Sequence, residues 1–276
     1  MFDILHYSFM QRALISGIII GIVCSVIGVY IVLKGISFIG AGIAHASFGG
    51  VALGFLLGIN PLFTAIVFCL FTGWGIGFLS HKNRIKEDTA VGIFFASTMA
   101  LGILFIGLMK GYNVDLFGYL FGSILAVTEE DLIITISLGF IILTFDVVLF
   151  KELMFITFDR EMAEVTGIPT TKIYFLLISL IALTVVLSIK VVGIILVSAL
   201  LITPAATAYQ LTEEFKRMMF FSILFGVSGT IAGLFLSYWL NTASGATIVV
   251  VITIIFFISL LLSPKRRKKT KKISAG

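Results

Sequence analysis

At 276 residues, with 59% hydrophobic and 12% charged side chains and a mean hydropathy of +1.18, the chain carries about half the charge of a soluble domain, which excludes water as its main solvent. The formal charge of +5 is local: seven of the 19 basic residues lie in Lys265–Lys269 and Lys271–Lys272. Such a tail after an apolar run reads as a cytoplasmic anchor beside anionic membrane lipid, not as a nucleic-acid arm.

The opening segment, Met1 to Gln11, holds Asp3 and His6 and lacks the basic start and small-residue cleavage site of a secretory signal. The first span is therefore expected to stay in the mature protein. Apolar runs of about 20 residues, enough to cross roughly 30 Å of hydrocarbon, follow at about 14–33, 38–58, 62–80, 90–110, 131–150, 172–190, 192–210, 218–240 and 246–263. This predicts an all-α, polytopic membrane bundle of about nine spans, eight being the alternative count. Residues 1–264 form the membrane domain and 265–276 a basic cytoplasmic tail. Cys24 and Cys69 both fall inside apolar runs and are assigned no disulfide or redox role.

The second run holds the strongest candidate site. His45 lies about seven residues in, among Ala41, Gly42, Ala44, Ala46, Ser47, Gly49 and Gly50. An imidazole inside a membrane span is costly and marks a site by default. It can ligate a divalent metal through a neutral nitrogen, or hydrogen-bond across a tight helix contact. The small residues around it allow either a close helix approach or a narrow path past the ring. Met99 and Met109 are soft ligands in principle but read as packing.

Tyr112 to Val127 is too short and too rich in Gly to cross. The acidic residues Asp115, Glu129, Glu130 and Asp131 either favour cations near an entrance or form a solvated loop. Asp146, near the inner end of its run, is expected to snorkel toward water with Lys151, and Lys190 to mark an outer helix end.

Between Lys151 and Lys172 lies the only cytoplasmic connection with room for its own structure. Asp159 suits a helix N-cap, Gly167 a helix end, and Pro169 blocks continuation. Phe158, Met162 and Val165 then share one face, opposite Arg160, Glu161 and Glu164. The result is a short surface helix at about 158–168, suited to docking or simply a capped loop helix. Val192 to Tyr209 carries Pro204 and is expected to be broken or re-entrant. With the N-terminus outside and an odd span count, only Arg12, Lys110 and Lys190 of the basic residues lie outside, as the positive-inside rule prefers.

The sequence has no phosphate-binding Gly-x-x-x-x-Gly-Lys-Ser/Thr loop, no Cys-x-x-Cys, no His-Glu-x-x-His and no Gly-x-Ser-x-Gly. The chain is not expected to be an enzyme. Uphill transport would draw on an ion gradient or on a separate ATPase.

Five stretches together are more specific: IGAGIAHASFGGVALG (39–54), EDTAVGI (87–93), VDLFGYLFGSILAVT (114–128), FDREMAEVTGI (158–168) and VGIILVSALLITPAATA (192–208). In this order, from about Gly17 to Ser263, the chain resembles the ABC-3 family of membrane permeases, the importers of zinc, manganese or iron. The resemblance implies a homodimer of the type II importer architecture, with cytoplasmic ATPase subunits below and an extracytoplasmic metal-binding protein above. It implies that the short helix is the coupling element, through Asp159, Arg160, Glu161, Met162, Glu164, Val165 and Gly167. Family members usually carry an acidic residue one helical turn before the His, and the pair forms the metal site. Here His45 matches but Ala41 takes the acidic position.

His45, with Ser47 or a second His45 across the dimer, is thus expected to contact a transported Zn²⁺ or Mn²⁺ transiently, with no permanently bound cofactor. The missing acid tilts the expectation to zinc, since manganese favours carboxylate oxygen. The alternatives are a permease for an iron chelate or cobalamin, which needs a wider cavity, and a gradient-driven cation carrier. The carrier should show inverted repeats and several buried carboxylates. No repeat is visible, and Asp146 is the only carboxylate deep inside a predicted span.

Overall fold

The structure is a computed structural model, describing residues 7–81, 85–109, 115–122 and 127–263. Among the described residues twelve helices form: α1 (Ser8–Lys34), α2 (Ser37–Leu57), α3 (Pro61–His81), α4 (Glu87–Leu108), α5 (Asp115–Phe121), α6 (Glu129–Val148), α7 (Phe150–Phe158), α8 (Arg160–Val165), α9 (Thr170–Val192), α10 (Ile194–Leu211), α11 (Phe215–Leu240) and α12 (Ser244–Leu262). Eight of them, all but α5, α7, α8 and α10, are long and apolar enough to cross a membrane. The basic tail lies outside the described residues.

The long helices run alternately up and down. Lys34, Lys86, Lys151, Arg160, Lys172, Lys216 and Arg217 gather at one end, and Arg12 and Lys190 at the other. The positive-inside rule makes the first end cytoplasmic.

In place of the predicted break at Pro204, α10 is one helix with the proline inside it. It runs from Gly193, packed on α5 at the outer end, to Thr212 at the inner end. Its 18 residues span about 27 Å at 1.5 Å per residue. Pro204 removes one backbone hydrogen bond, but the neighbouring Leu200, Leu201, Ala205 and Ala208 are fully buried, so packing holds the helix together.

In lipid no hydrophobic effect pulls helices together, so close packing and interhelical hydrogen bonds must do so. The centre is α1 and α9, with Ile20, Val23, Ile27, Leu177, Ile181 and Val185 fully buried. At Gly28 a Cβ would stand 2.0 Å from the Leu201 carbonyl oxygen, so α1 and α10 cross backbone to backbone. The Ser222 hydroxyl on α11 donates to the Ser25 carbonyl at 2.9 Å, and the Trp74 indole on α3 donates to the Ser179 hydroxyl on α9 at 2.9 Å. Cys24 lies 3.2 Å from the Ser188 hydroxyl and Cys69 faces the Ile43 carbonyl, and both thiols are free and buried.

Of the stretch 112–127, the described residues 115–122 hold a seven-residue helix, too short to cross. This helix, α5, sits at the outer end against α2, α9 and α10. Gly193, at φ +93, meets the backbone of Phe121 and Gly122 so closely that a Cβ would lie 2.4 Å from the Phe121 carbonyl carbon.

Candidate functional site

His45 is the ninth residue of α2, about 12 Å along the axis from its start. Most of α2 is enclosed, since it packs chiefly against α4 and α3. A Cβ at Gly42 would meet Val91 of α4 at 2.7 Å, and one at Gly50 would meet the Ala65 backbone of α3 at 2.7 Å. Gly42, Ala44, Ala46, Ser47, Gly49 and Gly50 are all buried, whereas Ala41 and His45, one turn apart, are half-exposed. The small residues are therefore used mainly for helix packing. They say little about the width of a path, and the open side of α2 is the stripe that holds Ala41 and His45.

On that side the His45 ring stands against Phe95 of α4, centroids 4.5 Å apart and planes inclined at 62°. An edge contact of this kind holds an imidazole in place. Ser47, two residues on, is fully buried, and its hydroxyl donates to the Ala44 carbonyl of its own helix. It does not share the open stripe. Among the described residues no group of three or more His, Cys, Asp or Glu side chains gathers in a geometry that could hold a metal ion. Among the described residues His45 belongs to no such group.

Asp146 does not reach for Lys151. It is 6% exposed and accepts a 2.7 Å hydrogen bond from the Tyr30 hydroxyl of α1, which satisfies it in place and removes the reason to snorkel. Two of the outer acidic residues pair within the chain. Asp131 closes a capping box with Thr128 at the start of α6 and pairs with Lys190, while Glu129 lies 3.3 Å from Arg12. Lys190 is in the last turn of α9, at the outer end as predicted.

The loop 151–172 holds more helix than the sequence indicated. Leu149 ends α6, and α7 carries the chain through Phe158 on buried Leu153, Ile156 and Thr157, all of them beyond the predicted span 131–150. Asp159 then accepts from the Met162 amide at 2.9 Å and caps α8. Gly167 closes the helix, with Ile168 N–H bonding back to the Ala163 carbonyl at 3.1 Å.

Phe158, Met162 and Val165 are 60%, 55% and 84% exposed, a bare apolar face at the cytoplasmic end. Glu161 and Glu164 are exposed beside it, and Glu164 accepts from the Thr170 hydroxyl at 3.1 Å. Arg160 points the other way, 5.8 Å from the Tyr174 ring centroid.

Comparison with known proteins places these features in context. The ABC 3 transport family profile matches residues 6–263. The manganese transport system membrane protein MntC of Halalkalibacterium halodurans is 42% identical over 247 residues, 90% of this chain and 85% of that protein. The manganese import system permease protein ScaB of Streptococcus gordonii is 42% identical over 243 residues, 88% of this chain and 87% of that protein. The solved structure of PsaBC from Streptococcus pneumoniae in complex with Fab superimposes with a TM-score of 0.88 at 42% identity, covering 98% of each chain. A metal-chelate type ABC transporter in an inward-facing conformation shares the fold, with a TM-score of 0.68 at 15% identity over 92% of this chain and 96% of that one.

Proposed function

The chain belongs to the ABC 3 transport family and is a multi-pass membrane permease; from this premise we propose that it carries a divalent metal ion inward, with manganese ahead of zinc. The relatives named for manganese, at 42% identity over about nine-tenths of the chain, favour that metal. They outweigh the preference for zinc drawn from Ala41. A chelate cargo has only the fold of a distant structure behind it.

The observation that carries the reading is the open stripe of Ala41 and His45 on α2. One imidazole is a poor site for a divalent ion, which wants several ligands. Two copies meeting across this stripe bring two imidazoles to one path, and water completes the shell. Such incomplete ligation lets the ion leave as well as enter. Ser47, bonded to its own helix, is a lesser contributor that would have to turn outward.

The chain has no ATP-binding motif, so a separate cytoplasmic ATPase supplies the energy, and an extracytoplasmic protein delivers the ion. The apolar face of Phe158, Met162 and Val165 is the surface on which the ATPase pushes. Closure of the ATPase pair then shifts the bundle between two packings. The test is uptake of radiolabelled manganese and zinc by cells lacking their own importers and supplied with the permease, its ATPase and its binding protein. Manganese accumulation that needs all three components and falls with His45→Ala is expected. Uptake of neither ion by the complete set would sink the reading.

A further inference from the structure

At the cytoplasmic end a cleft of about 240 Å³ opens between the ends of α1, α3, α4, α8 and α9, walled by Lys34, Ser80, Lys86, Glu87, Arg160 and Tyr174. Three cations there face one carboxylate. Glu87 does not neutralise Lys34 or Lys86 by contact, because its oxygen accepts from the Tyr174 hydroxyl at 3.2 Å and neither ammonium is ion-paired with it.

Lys34 is half-buried. It donates to the Ile156 carbonyl at 3.0 Å and stands 5.5 Å from the Tyr174 ring centroid. Neither partner is a counter-ion, and an ammonium has three donors, so Lys34 can still serve an anion in the cleft. Arg160 reaches the same ring from α8, and Lys86 is exposed at the rim.

The depth of the cleft identifies the ligand. Lys34 is the last residue of α1 and Glu87 the first of α4, so the cleft lies where a span meets the polar boundary and headgroup phosphates reside. We propose that it binds the phosphate of an anionic phospholipid from the cytoplasmic leaflet, with the oxyanion joining Lys34 at the end of α1 to Arg160 on α8. A free phosphate ion has the same chemistry but is repelled by the negative surface of that leaflet, whereas the anionic lipid is concentrated there. Lipid composition would then set how firmly α8 is held to the bundle. The proposal rests on the membrane orientation and is independent of the cargo.

The complete transporter, purified in detergent, can be titrated separately with phosphatidylglycerol, phosphatidylcholine and inorganic phosphate, and the bound species counted by native mass spectrometry. Wild type should retain phosphatidylglycerol in preference to phosphatidylcholine. Lys34→Gln should lower that preference about fivefold, the effect of one lysine near an anionic surface, while Lys34→Arg should preserve it. Lys86→Gln, at an exposed position that folding tolerates, should lower it as well. An unchanged preference in both Gln variants overturns the site. Displacement of phosphatidylglycerol by equimolar inorganic phosphate overturns the headgroup assignment.

Discussion

The Tyr30 hydroxyl of α1 donates to Asp146 of α6 at 2.7 Å, just before Leu149, where α6 gives way to α7. Phe215 covers the junction, its ring 5.6 Å from Tyr30, 5.5 Å from Phe150 and 5.8 Å from Phe158. One hydrogen bond and one aromatic ring thus tie α1, α6, α7 and α11 together at the root of the α8 helix. Tyr30→Phe leaves the buried carboxylate without its donor and should cost about 1–3 kcal/mol. Asp146→Asn keeps an acceptor for the hydroxyl and should cost less. Thermal unfolding of the purified permease in micelles compares the two, and equal losses would assign the stabilisation to packing alone.

The lone imidazole of the open stripe predicts opposite responses at two neighbouring positions. His45→Ala should slow manganese uptake by about tenfold or more, equivalent to ~1.4 kcal/mol or more of lost interaction with the ion. Ala41→Asp places a carboxylate one helical turn away and should raise the amount of metal retained by the purified transporter. Retention that is the same for Ala41→Asp as for wild type would mean that the stripe does not meet the ion.

The bare face of α8 predicts a loss of coupling without a loss of fold. Met162→Glu and Val165→Glu alter exposed side chains, so stability should stay within about 0.5 kcal/mol. Co-purification of the ATPase subunit and transport-linked ATP hydrolysis should both fall. Normal co-purification with both charges in place would move the docking surface elsewhere.

Helix crossing at Gly28 predicts a sharp steric contrast. A methyl group there would stand 2.0 Å from the Leu201 carbonyl oxygen, whereas one at Gly107 meets nothing within 4 Å. Gly28→Ala should force α1 and α10 apart and cost on the order of 1–3 kcal/mol, while Gly107→Ala should be nearly silent in the same melting experiment.

Much of this architecture is legible along the chain because the membrane imposes one-dimensional rules. Span length and exclusion of charge are local properties, and they suffice for the long helices. The cap at Asp159 is equally local, since an N-cap needs only its own carboxylate and an amide three residues on. The apolar spacing of Phe158, Met162 and Val165 marked an exposed apolar face for the same reason.

What depends on neighbours was not legible. Pro204 breaks a helix in isolation, yet α10 continues through it as one helix, held by the residues packed around it. Asp146 looked ready to snorkel because its partner, Tyr30, is 116 residues away in sequence. The small residues of α2 left close helix packing and a narrow path both open, because composition cannot say which face they occupy. Only the packing of α3 and α4 against α2 covers Gly42, Gly49 and Gly50 and leaves Ala41 and His45 open. Which long segments are apolar enough to cross is written along the chain, since transfer into hydrocarbon is decided residue by residue. The tertiary structure alone decided which polar group in those segments stays available to an ion, because availability is whatever helix packing has not already covered.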